Sequence, residues 1–214
     1  MTNGLLYGLI ENGLVPVNAT QRLQEEAATA FTCMQKAAAD DGIQLEIASG
    51  FRDFNRQLMI WNRKFESESL HHLTPDQRVR EIMRWSALPG TSRHHWGTDC
   101  DLYDPIALGS NKLQLEPWEY ESDGPFNKLT NWLNQHARRF GFYRPYRNDN
   151  GGVAPEPWHW SYAPLAKQFL KQYSADELRE IITASNLQGK AVVLPQIERI
   201  VSQYVHSVDP MEKD

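Results

Sequence analysis

The stretch Ser92-Arg93-His94-His95-Trp96-Gly97-Thr98-Asp99-Cys100-Asp101-Leu102-Tyr103 decides how this chain is read. Pro89-Gly90 marks a turn ahead of it, and Trp96 to Tyr103 suits a strand. Residues two apart on a strand share a face, so Asp99 and Asp101 point the same way, with His94 just before them. A second short strand, Trp158 to Tyr162, carries His159, three residues after Glu156.

Further out, Ile43 to Ala48 alternates like a half-buried strand, and Ser49-Gly50-Phe51-Arg52 turns out of it. Before it, Leu23, Ala27, Ala30, Phe31 and Met34 recur at helical spacing, predicting a helix over about 20–40 capped by Asn18 or Thr20. Helices are also expected over about Phe54–Phe65, Thr74–Trp85 with Pro75 in the first turn, and Pro125–Phe140. Arg144 to Pro157 is rich in Pro, Gly and Asn and reads as loop. Past Pro164, Ser174-Ala-Asp-Glu177 matches a capping box that opens a helix to about Ser185, and Pro195–His206 reads as another.

The 214 residues are 41% hydrophobic and 23% charged, which is a globular composition with enough apolar surface for its own core. Net charge is −5 and no basic block stands out, so nucleic acid is not an expected partner. No apolar run is long enough to span a bilayer, so no membrane association is expected. The first basic residue is Arg22, and Asn3, Gly4, Glu11, Asn12 and Gly13 interrupt the opening stretch. That is unlike a secretory signal, and the expected location is cytoplasmic. Cys33 and Cys100 form no CxxC pair and read as isolated, buried thiols.

Zinc takes imidazole nitrogen and carboxylate oxygen, and a catalytic site keeps one position open beside three protein ligands. His94, Asp101 and His159 suit a two-histidine, one-carboxylate site, with Glu156 beside it as general base. Pro155 and Pro157 flank Glu156, so Glu156 and His159 cannot share a regular helix. A flat strand would put residues three apart on opposite faces, so Glu156 must sit in a turn or bulge leading into the strand.

Ser92-Arg-His94-His-Trp-Gly97-Thr-Asp-Cys-Asp101 followed by Glu156-Pro-Trp-His159 resembles the two-part signature of VanY-type D-alanyl-D-alanine carboxypeptidases. Those enzymes share a fold with the hedgehog signalling domain and several phage endolysin peptidases. Ser49-Gly-Phe-Arg52 with Gln57 is similar to the family's upstream substrate-binding element, and the likeness runs from about Leu45 to Tyr162. The resemblance implies one zinc ion held by His94, Asp101 and His159, with Glu156 as base. It implies that Arg52 holds substrate or stabilises developing negative charge, and that Ser92 and Gln57 lie near the substrate's terminal carboxylate. Trp158 lies inside the second motif and is expected at the cleft. Asp99 departs from the family, which usually has a small residue there; orienting a ligand, repelling a substrate carboxylate and binding a cationic group all stay open.

The expected fold is α+β: a small, mainly antiparallel sheet carrying the zinc site, with helices packed on it. Residues 1–164 would form the zinc peptidase domain and 165–214 a helical C-terminal extension of it. Val192, Val193, Leu194, Ile197, Ile200 and Val201 must be covered, either by packing back on the domain or by self-association of the C-terminal helices. The function the resemblance implies is removal of terminal D-alanine from peptidoglycan stem peptides or muropeptides. In a cytoplasmic chain this leans to L,D-carboxypeptidase action on tetrapeptides in murein recycling, because D,D activity there would shorten the cell's own pentapeptide precursor. The alternatives are a D,D-carboxypeptidase or D,D-dipeptidase, an endolysin-like endopeptidase, and a non-catalytic zinc-containing binding module.

Overall fold

A computed structural model describes residues 3–210 of the chain. The first element is a hairpin of β1 (Leu14–Pro16) and β2 (Arg22–Gln24), which runs into helix α1 (Glu25–Asp40). The helix therefore starts later than its apolar spacing suggests, because Arg22 to Gln24 pair in the hairpin instead. Its N-cap is Gln24, without a side-chain cap; Asn18 instead accepts the backbone N–H groups of Thr20 and Gln21 in the hairpin turn.

Then come β3 (Glu46–Ser49), α2 (Phe54–Phe65), α3 (Pro75–Met83), β4 (Asp99–Tyr103), and the short α4 (Pro105–Leu108) and α5 (Pro117–Tyr120). Helix α6 (Asn127–His136) leads to β5 (Phe142–Tyr143) and β6 (His159–Tyr162). Thr74 and Gln77 form a capping box on α3 with Pro75 in its first turn. After β6 follow α7 (Ala163–Gln172), α8 (Ala175–Ala184), α9 (Lys190–Val193), α10 (Ile197–Ile200) and a π-helical Val201–His206. Ser174 accepts the N–H of Glu177 at the start of α8.

The main sheet has the order β3-β4-β6-β5, antiparallel throughout. Its alternation explains the sequence between the motifs. Cys100, Leu102, Trp160 and Tyr162 pack into an apolar core with Phe31 and Met34 of α1 and with α6. Asp99, Asp101, His159 and Ser161 face the other way, and the register pairs Asp99 with Ser161 and Asp101 with His159. Cys100 is a buried free thiol, whereas Cys33 is free but exposed on the outer face of α1.

A second core lies on the helical side. It joins Tyr7, Phe54 and Trp61 to Val193, Ile197, Ile200 and Val201, with Val192 and Leu194 packed against it. The apolar residues of the tail are thus covered by α2, α3 and the N-terminal segment. The cleft opens between the sheet core and the helical core. No helix of the described residues is long and apolar enough to cross a membrane.

Candidate metal centre and catalytic cleft

The segment before β4 is a single 3₁₀ turn, Arg93–Trp96, closed by Gly97 at φ +68°. A side chain on Gly97 would be strained there and would also strike the side chain of Leu14. This turn carries His94 to the edge of the sheet, over Asp101 and His159. The imidazoles of His94 and His159 meet edge to face, with centroids 4.9 Å apart.

His94 Nε2 lies 3.3 Å from Asp101 Oδ2, and His159 Nδ1 lies 3.1 Å from Asp101 Oδ1. Atoms of all three residues converge within 4.8 Å of one another. Ligands about 2.0–2.1 Å from zinc at tetrahedral angles stand about 3.3 Å apart. The donor set fits that ion in chemistry, and each histidine stands at such a distance from one oxygen of Asp101.

The outer ring nitrogens fix which atoms face the site. His94 Nδ1 donates to the carbonyl of Gly50 at 2.8 Å, leaving Nε2 for the ion. His159 is turned the other way: Nε2 bonds Asp99 Oδ2 at 3.0 Å, and Nδ1 faces inward. Burial disfavours charge on His159, yet its bonds to Asp101 and Asp99 carry its pKa up to about 10 when no metal is held. Burial acts against Asp101 too, but His94 and His159 hold its carboxyl well below the usual range.

Glu156 sits where its flanking prolines require. His159 N–H reaches back to the carbonyl of Glu156 at 3.3 Å, closing a turn that opens directly into β6. Glu156 Oε2 is 3.5 Å from His159 Nδ1. Burial raises its pKa to about 7, with His159, Arg52 and Lys64 pulling it down and Asp101 pushing it up.

A cleft of about 550 Å³ opens over these groups. Arg52, Ser92 and Trp158 line it, as does the base. The Arg52 guanidinium donates to Gln57 Oε1 at 2.9 Å and to Ser49 Oγ at 2.8 Å, while its backbone N–H bonds the carbonyl of His94 at 3.1 Å. Gln57 is fully buried and does not line the cleft. It accepts from Arg52 and donates to the carbonyl of Ala87, which places it behind the arginine.

His95 points away from the metal site. Gly90 N–H donates to its Nε2, so Nδ1 carries the proton and bonds the carbonyl of Arg52 at 2.5 Å. Burial pushes its pKa down to about 3. Asp99 does not reach the cleft. It is fully buried, bonded to His159, Arg93, Thr98 and Ser161.

Several cleft residues escape sequence reasoning. Lys64 follows Gln57 by seven positions, on the same stripe of α2, and a search of that stripe for charge would have found it. Tyr146 packs at a tilt against His159, ring centroids 4.9 Å apart, from an aperiodic loop that offers no signal. Leu115 also lines the cleft, at φ +55°, a conformation that L side chains rarely adopt. The buried carboxylate of Glu119 accepts the backbone N–H groups of Gln114 and Glu116, which flank Leu115.

A model of the VanY family, described as D-alanyl-D-alanine carboxypeptidase, matches residues 20–165. A Haemophilus influenzae protein described as uncharacterized is 40% identical over 121 residues, covering 55% of this chain and 92% of its own length. An Enterococcus faecalis D-alanyl-D-alanine carboxypeptidase is 33% identical over 132 residues, covering 60% of this chain; the match spans 44% of the Enterococcus protein. Among solved structures, the vancomycin-resistance D,D-pentapeptidase VanY in complex with Zn(II) superposes with a TM-score of 0.56 at 24% identity, covering 78% of this chain and 90% of that one. The LdcB LD-carboxypeptidase gives 0.55 at 20% identity, covering 91% and 79%.

Proposed function

This chain belongs to the VanY D-alanyl-D-alanine carboxypeptidase family, and on that premise we propose that it is a zinc carboxypeptidase removing terminal D-alanine from peptidoglycan stem peptides. The observation that carries the reading is the convergence of His94, Asp101 and His159 with the Glu156 carboxylate beside them on the floor of a cleft lined by Arg52. His94 Nε2, Asp101 and His159 Nδ1 would hold the ion. When bound, zinc polarises the scissile carbonyl and makes water easier to deprotonate.

The chain's own groups supply the rest. Glu156 takes the proton of the attacking water and returns it to the leaving amine. Its buried position keeps its affinity for that proton close to what transfer at neutral pH needs. Arg52, held by Gln57 and Ser49, presents fixed positive charge to the oxygen on which negative charge develops. Ser92 and Trp158 shape the wall where the terminal residue sits. Retention of both Glu156 and Arg52 favours turnover over a binding module that merely keeps its metal.

The preferred substrate is the tetrapeptide, cleaved at its L,D bond, in a compartment where murein fragments are recycled. The supporting argument is chemical: an enzyme that shares a compartment with its own cell's pentapeptide precursor must spare it. Precedents of both kinds exist on this fold, since VanY is described as a D,D-pentapeptidase and LdcB as an LD-carboxypeptidase. Mass spectrometry of products from defined tetrapeptide and pentapeptide muropeptides, with and without chelator, tests the proposal. Chelator-sensitive release of D-alanine from tetrapeptide is expected. Cleavage of pentapeptide alone reverses the bond preference, and binding without product favours the module.

A further inference from the structure

We propose that Asp99 is a positioning residue of the metal centre, fixing the ring of His159 so that Nδ1 faces the ion, with the buried guanidinium of Arg93 balancing its charge. The hydrogen bonds of the carboxylate carry the argument. Oδ2 accepts from His159 Nε2 at 3.0 Å and from Arg93 Nε at 2.7 Å. Oδ1 accepts from Thr98 Oγ1 at 2.6 Å and from Ser161 Oγ at 2.9 Å. A carboxylate has about four acceptor directions, so none is left for a substrate group. Asp99 is fully buried and does not line the cleft, which removes the readings in which it meets a peptide.

The pair is built as a unit. Arg93 is also fully buried, donates to Ser161 Oγ at 2.6 Å, and lies 4.5 Å over the ring of Trp96. A buried carboxylate without a partner is strongly destabilising, and Arg93 removes that cost. The two histidines are then tuned unequally. The outer nitrogen of His94 meets a neutral carbonyl, Gly50, while that of His159 meets a charged carboxylate. A carboxylate behind a ligating imidazole fixes its tautomer and makes it a stronger donor to the metal.

The inference rests on the zinc reading of the site and not on the substrate, so its test reads the metal. Zinc affinity is measured by competition with a chromophoric chelator, and the ligand field by the visible spectrum of the Co(II)-substituted chain. Asp99→Asn should weaken zinc by roughly 10- to 100-fold and shift the Co(II) bands. The Arg93→Met/Asp99→Asn double variant removes both charges of the pair. It should regain metal-free thermal stability while zinc stays weak. If Asp99→Asn alone does not fold, the double variant carries the comparison. Wild-type zinc affinity with an unchanged Co(II) spectrum in the double variant would overturn the proposal, and so would affinity that simply follows thermal stability. A chain that binds zinc as expected yet releases nothing from any stem peptide fails the carboxypeptidase reading alone.

Discussion

Glu156 Oε2 and His159 Nδ1 stand 3.5 Å apart across a turn that begins at one residue and ends at the other. The base and the ligand are thus fixed by one local piece of backbone. Glu156→Ala should leave zinc content at one ion per chain and cut turnover by about 10²–10⁴-fold. Metal analysis beside product analysis checks both halves. A near-normal rate would sink the assignment of the base.

The pH profile follows from the same residue. Burial carries Glu156 up to about 7 in the metal-free chain. Only the ionised form accepts a proton, so kcat/KM falls as pH drops through this pKa. A bound dication favours the carboxylate, so the acid limb lies at or below about 7. Rates between pH 5 and 9 on one defined peptide read the limb directly. A limb above pH 8 would point to another group.

Gln57 touches Arg52 and Ala87 but lies outside the cleft wall. Gln57→Ala should therefore leave the zinc stoichiometry intact and lower kcat/KM by about 10-fold, the cost of one charge-assisted hydrogen bond of roughly 1.5 kcal/mol that positions Arg52. Gln57→Glu gives Arg52 a charged partner and should hold it in place. Equal zinc loss in Gln57→Ala would show that the residue serves the fold at large rather than Arg52.

Ile197 is fully buried in the core that joins the C-terminal helices to α2. We propose that residues 165–214 belong to the same folding unit as the site. Ile197→Ala should then destabilise the whole chain by about 2–5 kcal/mol in a single transition. Thermal unfolding followed at once by far-UV signal and by zinc release checks it. Two separate transitions, with zinc lost only in the second, would make the tail a detachable appendage.

The polar pattern of β4 and β6 was legible because a strand alternates. Asp99 and Asp101 fall on one face of β4 whatever else surrounds them, and Pro155 and Pro157 force Glu156 into a turn. What stayed illegible depends on contacts between distant segments. The β1–β2 hairpin cut short the expected start of α1, since strand pairing by Arg22 to Gln24 overrides local helical spacing. The bond between Gln57 and Arg52 was not legible either, because it depends on how the turn after β3 folds back over the start of α2. Asp99 stood out only as a departure from the expected residue type. Its partner Arg93 is six residues away, and nothing in their spacing reveals that the 3₁₀ turn brings them into contact.

The cleft runs along the seam between two apolar cores. Asp101 and His159 rest on the sheet core, while Lys64 and the Gln57 brace of Arg52 belong to a helix anchored in the other. Neither core can therefore be softened without cost to the other's half of the chemistry: in a single folding unit, drift in the helices should blur the ion's seat as surely as it blurs the grip on a peptide.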